Sequence, residues 1–282
     1  MSLPPYASPL ERAWHVTLWA IAILVLGFLV LPILVIVPLS FSSGSFLSFP
    51  LPGLSLRWYQ ELLESERWLS SLRNSVVVAC ASTILATILG TLAALGLQRA
   101  RFPGSSLVLA LLISPMVVPL VIVAVGVYFF YAPFGLTGSL VGLTLAHTAL
   151  ASPFVVITVS ATLQGFDTNL SRAAASLGAG PTLAFFRITL PLILPGVVSG
   201  ALFAFVTSFD EVVVALFLTG PQERTLPRQM FDGIRENISP IIAAAATLLI
   251  VLSVALMTVM EALRRRSERQ IGRASCRERV LS

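Results

Sequence analysis

The sequence predicts an all-α integral membrane protein with six transmembrane helices, and three observations carry that prediction. Of 282 residues, 56% are hydrophobic and only 11% are charged, whereas a soluble domain carries roughly 25% charged residues. The mean hydropathy is +0.92. Six apolar stretches, at about 14–40, 74–97, 105–131, 138–163, 190–219 and 238–263, each reach the ~20 residues that a helix needs to cross a ~30 Å hydrocarbon core. A soluble globular enzyme, a disordered chain and a coiled coil are excluded by the same figures.

The first stretch is longer than the ~7–15 apolar residues of a signal peptide and has no small-residue cleavage site after it, so it reads as a retained helix. The segment that follows, Leu56 to Leu72 (LRWYQELLESERWLSSL), places Trp58, Leu62 and Leu69 at spacings that suit an amphipathic helix on the outer surface. Trp58, Tyr59 and Trp68 also fit simple interfacial anchors, and the sequence leaves both readings open. Pro115, Pro119, Pro153 and Pro195 fall inside later stretches, which membrane helices tolerate where neighbours or water satisfy the freed carbonyls. Gly138-x-x-x-Gly142 and Gly196-x-x-x-Gly200 have the spacing that lets helices approach closely, here read as a contact between subunits.

Orientation follows from arginine placement. With the N-terminus inside, the cytoplasmic segments hold Arg12, Arg99, Arg101, Arg172, Arg187, Arg264, Arg265, Arg266 and Arg269, nine in all. The opposite side holds six (Arg57, Arg67, Arg73, Arg224, Arg228 and Arg235) interleaved with acids. The Arg264–Arg266 run after the last stretch is the strongest inside marker, so both termini face the cytoplasm. Beyond it, Ile271–Val280 (IGRASCRERV) has neither periodicity nor an apolar face, and residues 271–282 read as a non-native appendage; an ordinary disordered end is the alternative. The organisation expected is an N-terminal helix and start of the outer loop over 1–55, a transport domain over 56–264, and a cytoplasmic tail over 265–282.

All 18 basic residues are arginine. Without lysine the chain can supply neither a Walker A phosphate loop nor a Schiff base. Its net charge of +5 falls to +3 without the tail, and the arginines are spread over many loops rather than forming a nucleic-acid stripe. Cys80 and Cys276 form no C-x-x-C, and His15 and His147 are far apart with no H-E-x-x-H, so no metal site is expected and an intramembrane enzyme is disfavoured.

The most informative segment is Gln164 to Pro191, QGFDTNLSRAAASLGAGPTLAFFRITLP. Asp167 can cap an alanine-rich helix from about Thr168 to Leu177; Gly178 and Gly180 stop it, and Pro181 opens a second short helix. Leu183, Phe185, Phe186 and Ile188 give that second helix an apolar surface, and such a patch facing the cytoplasm marks a docking site.

Here the chain resembles a known family. Ala173-Ala174, three residues, Gly178, nine residues and Ile188-Thr189-Leu190-Pro191 match the EAA signature of permeases of binding-protein-dependent ABC importers. The resemblance extends over about 56–262, through RNS at Arg73–Ser75 and SFDEVVVALFLTGP at Ser208–Pro221, and with TLPRQMF at Thr225–Phe231 it looks most like the second permease of spermidine/putrescine importers. It implies a type I importer permease in a bacterial inner membrane, with loop 164–191 as a coupling element. It implies a second permease subunit, an ATPase dimer that holds ATP and Mg, and a periplasmic binding protein, with no cofactor in this chain, no catalytic residue and no nucleic acid. Arg172, Ala173, Ala174, Gly178, Ile188, Leu190 and Pro191 are then the ATPase-coupling residues. Arg172 stands where the family has glutamate, which leaves open whether the partner carries a compensating acid, helix shape alone holds the joint, or Arg172 reaches lipid phosphates.

Asp210 and Glu211 are the adjacent acids within an apolar run. On a continuous fifth helix Asp210 lies roughly 14 Å from the outer end, with Glu211 turned about 100° from it. A carboxylate at that depth costs at least ~2.5–3.5 kcal/mol, which is tolerated facing a cavity or partner. Both are candidates to line a path for a cationic substrate, by charge-assisted hydrogen bonding; a salt bridge to the partner permease is the alternative. His147 and Gln164 are lesser candidates, His147 as an interhelical hydrogen-bonder. An importer of another small solute (iron, thiamine or an opine) and an ion-driven secondary transporter remain as alternatives; the latter needs no coupling loop.

Overall fold

The computed structural model describes residues 8–99, 103–236 and 238–259. Arg101, the Arg264–Arg266 run and the 271–282 tail lie outside the described residues. Among those described there is no strand, only a lone antiparallel bridge between Ser42 and Leu54. Among the described residues, five helices are long and apolar enough to cross a membrane, or six if one bent pair is a single span.

Two compact units divide the chain. The first takes residues up to 64 together with 233–250. It opens with α1 (Pro9–Leu39), started by a capping box in which Ser8 and Glu11 satisfy each other's backbone amides. No α1 residue is buried within the chain, so its apolar circumference is left to be covered by lipid or by another subunit. Its end is tied locally: Ser40 Oγ lies 2.6 Å from Tyr59 Oη, and the Phe41 and Tyr59 rings are 5.2 Å apart. In α2 (Arg57–Glu64), Trp58 and Leu62 are buried one turn apart. Trp58 is therefore packed within the fold, Tyr59 is half-buried, and the expected surface helix stops at Glu64.

The second unit takes 65–232 and 251–259. Its frame is α3 (Glu66–Arg99), α6 (Leu140–Gln164) and α9 (Leu190–Phe209). Ser71, Ser75, Val78, Ala79, Ser82, Ala86 and Ala94 form a buried stripe of small residues at helical spacing along α3. Ala86, Ala94, Ala151, Val155, Val159, Leu163, Ile193 and Ala204 make one core cluster between the three helices. Glycines permit the approach. A Cβ at Gly90 would lie 2.7 Å from Val155 Cβ, and one at Gly200 would lie 3.0 Å from Val155 Cα. A Cβ at Gly196 would overlap the Thr162 side chain. The Gly196/Gly200 pair thus faces α6 of the same chain, where a subunit contact was expected.

Two spans depart from the expected runs. The third is broken into α4 (Ser105–Val117) and α5 (Leu120–Tyr131), bent by 107°. Pro119 has no N–H to continue the ladder and holds Val118 extended (φ −72°, ψ 134°). The fifth begins early: the short helix α8 (Pro181–Ala184) runs through a π turn at Phe185–Thr189 into α9, so the elbow's second helix is the start of the span itself. It also ends early, at Phe209, and a separate α10 (Val213–Leu218) follows. Between α6 and α8 lies α7 (Thr168–Ser176); α11 (Leu226–Glu236) and a last helix, α12 (Pro240–Val259), complete the order.

Candidate functional site: the elbow and the broken fifth span

The elbow forms by local signals. Asp167 accepts a hydrogen bond from Asn169 N at 2.9 Å and starts α7. At the other end Gly178 N donates to Ala175 O and Ala179 N to Ala174 O, both at 3.0 Å, with Gly178 at φ +84°. This double closure needs a left-handed residue, which only glycine adopts without penalty. Gly180 is extended and Pro181 occupies the first position of α8.

The predicted coupling residues divide by burial. Ala174 turns inward and is 7% exposed, Leu190 packs on the core cluster, and Ile188 is half-buried. Arg172, Ala173, Gly178 and Pro191 are exposed. Leu177 (89% exposed) and Phe186 (60%) present bare apolar surface beside them, with the Phe185 ring edge-on to Phe186 at 5.0 Å.

The second site is the break after Phe209. Because α9 ends there, Asp210 and Glu211 do not share a continuous helix, and they part company. Asp210 closes α9, its N–H donating to Val206 O at 3.0 Å, and its side chain is exposed. Glu211 turns inward, and its carboxylate accepts from Val214 N (2.9 Å) and Ala215 N (3.2 Å). Two of the amides that α10 leaves without intrahelical partners are satisfied this way.

Behind Glu211 stands a buried polar row. His147 Nε2 lies 3.5 Å from Glu211 Oε2, His147 Nδ1 lies 2.9 Å from Ser208 Oγ, and Ser208 Oγ lies 2.8 Å from Ser82 Oγ. An ionised carboxylate only accepts, and each hydroxyl has a single proton. A consistent direction therefore runs from the Ser82 hydroxyl to Ser208, from Ser208 to His147 Nδ1, and from His147 Nε2–H toward Glu211. Val78 O, 2.7 Å from Ser82 Oγ, offers that first proton an alternative acceptor. His147 is thus an interhelical bonder, as its sequence context suggested, and it joins α6 to α9 and to the break. Gln164, at the exposed end of α6, is not part of the row.

The far end of α10 is closed by a cation. Arg228 Nη1 donates to Ala215 O at 3.2 Å and to both oxygens of Thr219, while Gly138 N donates to Leu218 O at 2.7 Å. A carboxylate at the start of α10 and a guanidinium at its end complement the helix dipole. Arg228 and Arg224 also lie 3.8 and 3.5 Å from Asp232. Two blocks distant in sequence meet nearby: Asn74 Nδ2 donates to Gln222 O (2.9 Å) and Arg224 O (3.1 Å), and Leu226 N donates to Ser75 Oγ (2.8 Å). Arg73–Ser75 and the segment before Met230 are thereby one structural feature.

Sequence reasoning missed Ser82, Ser208 and Arg228. Ser82 was visible only as an isolated hydroxyl in an apolar run, while Ser208 and Arg228 stood inside the blocks that carry the family resemblance without a role of their own.

Comparison with known proteins agrees with this architecture. Residues 86–273 match the family described as binding-protein-dependent transport system inner membrane component. The chain is 36% identical over 241 residues to the putrescine transport system permease protein PotI of Escherichia coli K12, covering 82% of this chain and 85% of that protein. It is 34% identical over 248 residues to the spermidine/putrescine transport system permease protein PotC of Haemophilus influenzae, covering 88% and 96%. A solved bacterial ABC transporter involved in import of the acidic polysaccharide alginate shares the fold, with a TM-score of 0.73 at 15% identity over 92% of this chain and 99% of that one. Six apolar runs, a helix–glycine–helix elbow and a match over two thirds of the sequence converge on one assignment: the chain belongs to the binding-protein-dependent transport system inner membrane component family, as a transmembrane permease.

Proposed function

We propose that this permease is one subunit of an ATP-driven importer of polyamines such as spermidine and putrescine. The observation that carries the reading is the 34–36% identity, over more than four fifths of the chain, to two permeases named for those substrates. A separate ATPase dimer holds ATP and Mg and docks on the elbow, where Arg172, Ala173 and the bare faces of Leu177 and Phe186 meet it. Movement of the elbow passes directly into the fifth span, because α8 and α9 are joined without a loop. A periplasmic binding protein delivers the substrate to a path formed with a second permease. Both termini lie in the cytoplasm, in keeping with the Arg264–Arg266 run.

In this reading the exposed carboxylate of Asp210 faces the path and accepts hydrogen bonds from an ammonium group as it loses water. Expressing the transporter in a polyamine-uptake-deficient cell and following labelled putrescine and spermidine tests the proposal. Uptake should stop when ATP is depleted and persist when the membrane potential is collapsed at constant ATP. Uptake that follows the potential instead would favour an ion-driven carrier, and uptake of neither polyamine would remove the substrate assignment.

A further inference from the structure

We propose that Glu211 is a positioning residue: backed by His147, Ser208 and Ser82, it holds the break between α9 and α10 open, so that residue 210 is presented to water. This assigns the two adjacent acids different tasks, and it deepens the reading above, on which the role of Asp210 in the path rests.

The argument begins with the sequence around the break. Ser208-Phe209-Asp210-Glu211-Val212-Val213 contains neither proline nor glycine, so no residue here forbids a continuous helix. The interruption is thus not the work of a breaker residue, and side chains beside it supply a hold. Glu211 supplies one directly, because its two oxygens accept from Val214 N and Ala215 N, amides that α9 would otherwise claim by extending. Its own orientation is fixed in turn. His147 is 1% exposed and its Nε2 has no hydrogen-bond acceptor closer than the Glu211 carboxylate 3.5 Å away. Ser208, at 2.9 Å from Nδ1, and Ser82, at 2.8 Å from Ser208, orient the ring. The row crosses from α3 through α6 and α9 to α10, so the break is registered against the frame of the second unit.

Without the Glu211 carboxylate, the backbone of 210–213 is free to complete the helical ladder. The fifth apolar run then becomes continuous, as its sequence alone suggested, and residue 210, exposed at the break, is withdrawn into the helix. Gln keeps one acceptor oxygen at nearly the same reach and should withdraw residue 210 only in part; Ala keeps none.

The test reads the accessibility of residue 210 in membranes that contain the whole transporter. With Cys80→Ala and Cys276→Ala removing the native thiols, Asp210→Cys is treated with a trimethylammonium methanethiosulfonate, a polar cationic reagent. The modification rate is expressed per molecule of chain in the membrane. The parent thiol should react. Its rate should fall about twofold with Glu211→Gln and about fivefold or more with Glu211→Ala. Ser208→Ala, which removes only one hydroxyl of the row, should give a smaller fall in the same direction, and it carries the test if Glu211→Ala does not accumulate. A purely structural role would lower the amount of protein and leave the per-molecule rate unchanged. A parent thiol that does not react overturns the proposal. So does a rate that Glu211→Gln and Ser208→Ala leave unchanged. Uptake by Asp210→Asn tests the path reading separately: normal uptake combined with a slowed thiol rate would remove the path role and uphold the positioning role.

Discussion

Asp210 and Glu211 are neighbours in sequence with opposite surroundings, and their variants should therefore differ in kind. Asp210→Asn keeps shape and hydrogen-bonding capacity but removes a charge that is exposed beside the break. A charge-assisted bond to an ammonium exceeds a neutral one by roughly 1 kcal/mol. The apparent affinity for a polyamine should accordingly weaken about fivefold, since ~1.4 kcal/mol is tenfold. Competition uptake measured with spermidine against a neutral solute of similar size would check this, and an unchanged affinity would place Asp210 off the path. Glu211→Gln should instead leave the charge at 210 in place and slow access to it, because the one remaining acceptor oxygen holds the amides of Val214 and Ala215 less well. That division was not legible in the sequence. Two acids in an apolar run fit a continuous helix as well as a broken one. The deciding partners, Ser82 and His147, lie 126 and 61 residues from Ser208, which tertiary packing alone brings together.

Elements were legible where their signals are local. The elbow follows from Asp167, Gly178 and Pro181, each acting within a turn of its own position, and the structure places all three where the sequence predicts. Its junction with α9 was not legible, because a π turn depends on how Phe185 and Leu190 pack on the core cluster rather than on any one residue type. Gly178 gives a sharp test. No atom lies within 4 Å of where its Cβ would stand, so the cost of substitution is backbone conformation at φ +84° and not collision. Gly178→Leu should lose about 1–2 kcal/mol at the turn and misdirect α7. Transport should fall steeply while membrane insertion, read by protease protection, stays intact. Gly178→Asn, which tolerates the left-handed region better, should retain more uptake; equal losses would mean that side-chain bulk against a partner matters instead. Gly200 makes the opposite case: its Cβ would press on the Val155 backbone at 3.0 Å. Gly200→Val should therefore cost about 1–3 kcal/mol by overpacking, seen as a lower melting temperature in detergent without any change specific to the elbow.

At the scale of the molecule, the chain has more apolar surface than it can cover by itself. No residue of α1 or α4 is buried, and Leu177 and Phe186 stand bare at the elbow. Lipid suffices for the first two, since acyl chains are as apolar as leucine, but the elbow, on the cytoplasmic side in the proposed orientation, would need protein to cover it. The absence of lysine from the sequence carries the same implication for energy supply: a phosphate loop of the G-K-[ST] type has no possible site. Purified alone, the chain should therefore show no ATP hydrolysis above a blank. Purified gently from its own cells through an affinity tag, it should bring with it a second permease and an ATPase. Substituting the exposed elbow pair Leu177→Glu and Phe186→Glu should release the ATPase and spare the permease contact, because a buried carboxylate without a partner is costly at an apolar joint. Retention of the ATPase by that double variant would move the docking surface away from the elbow. Uptake by the chain alone in proteoliposomes, with no nucleotide present, would overturn the multi-subunit importer altogether.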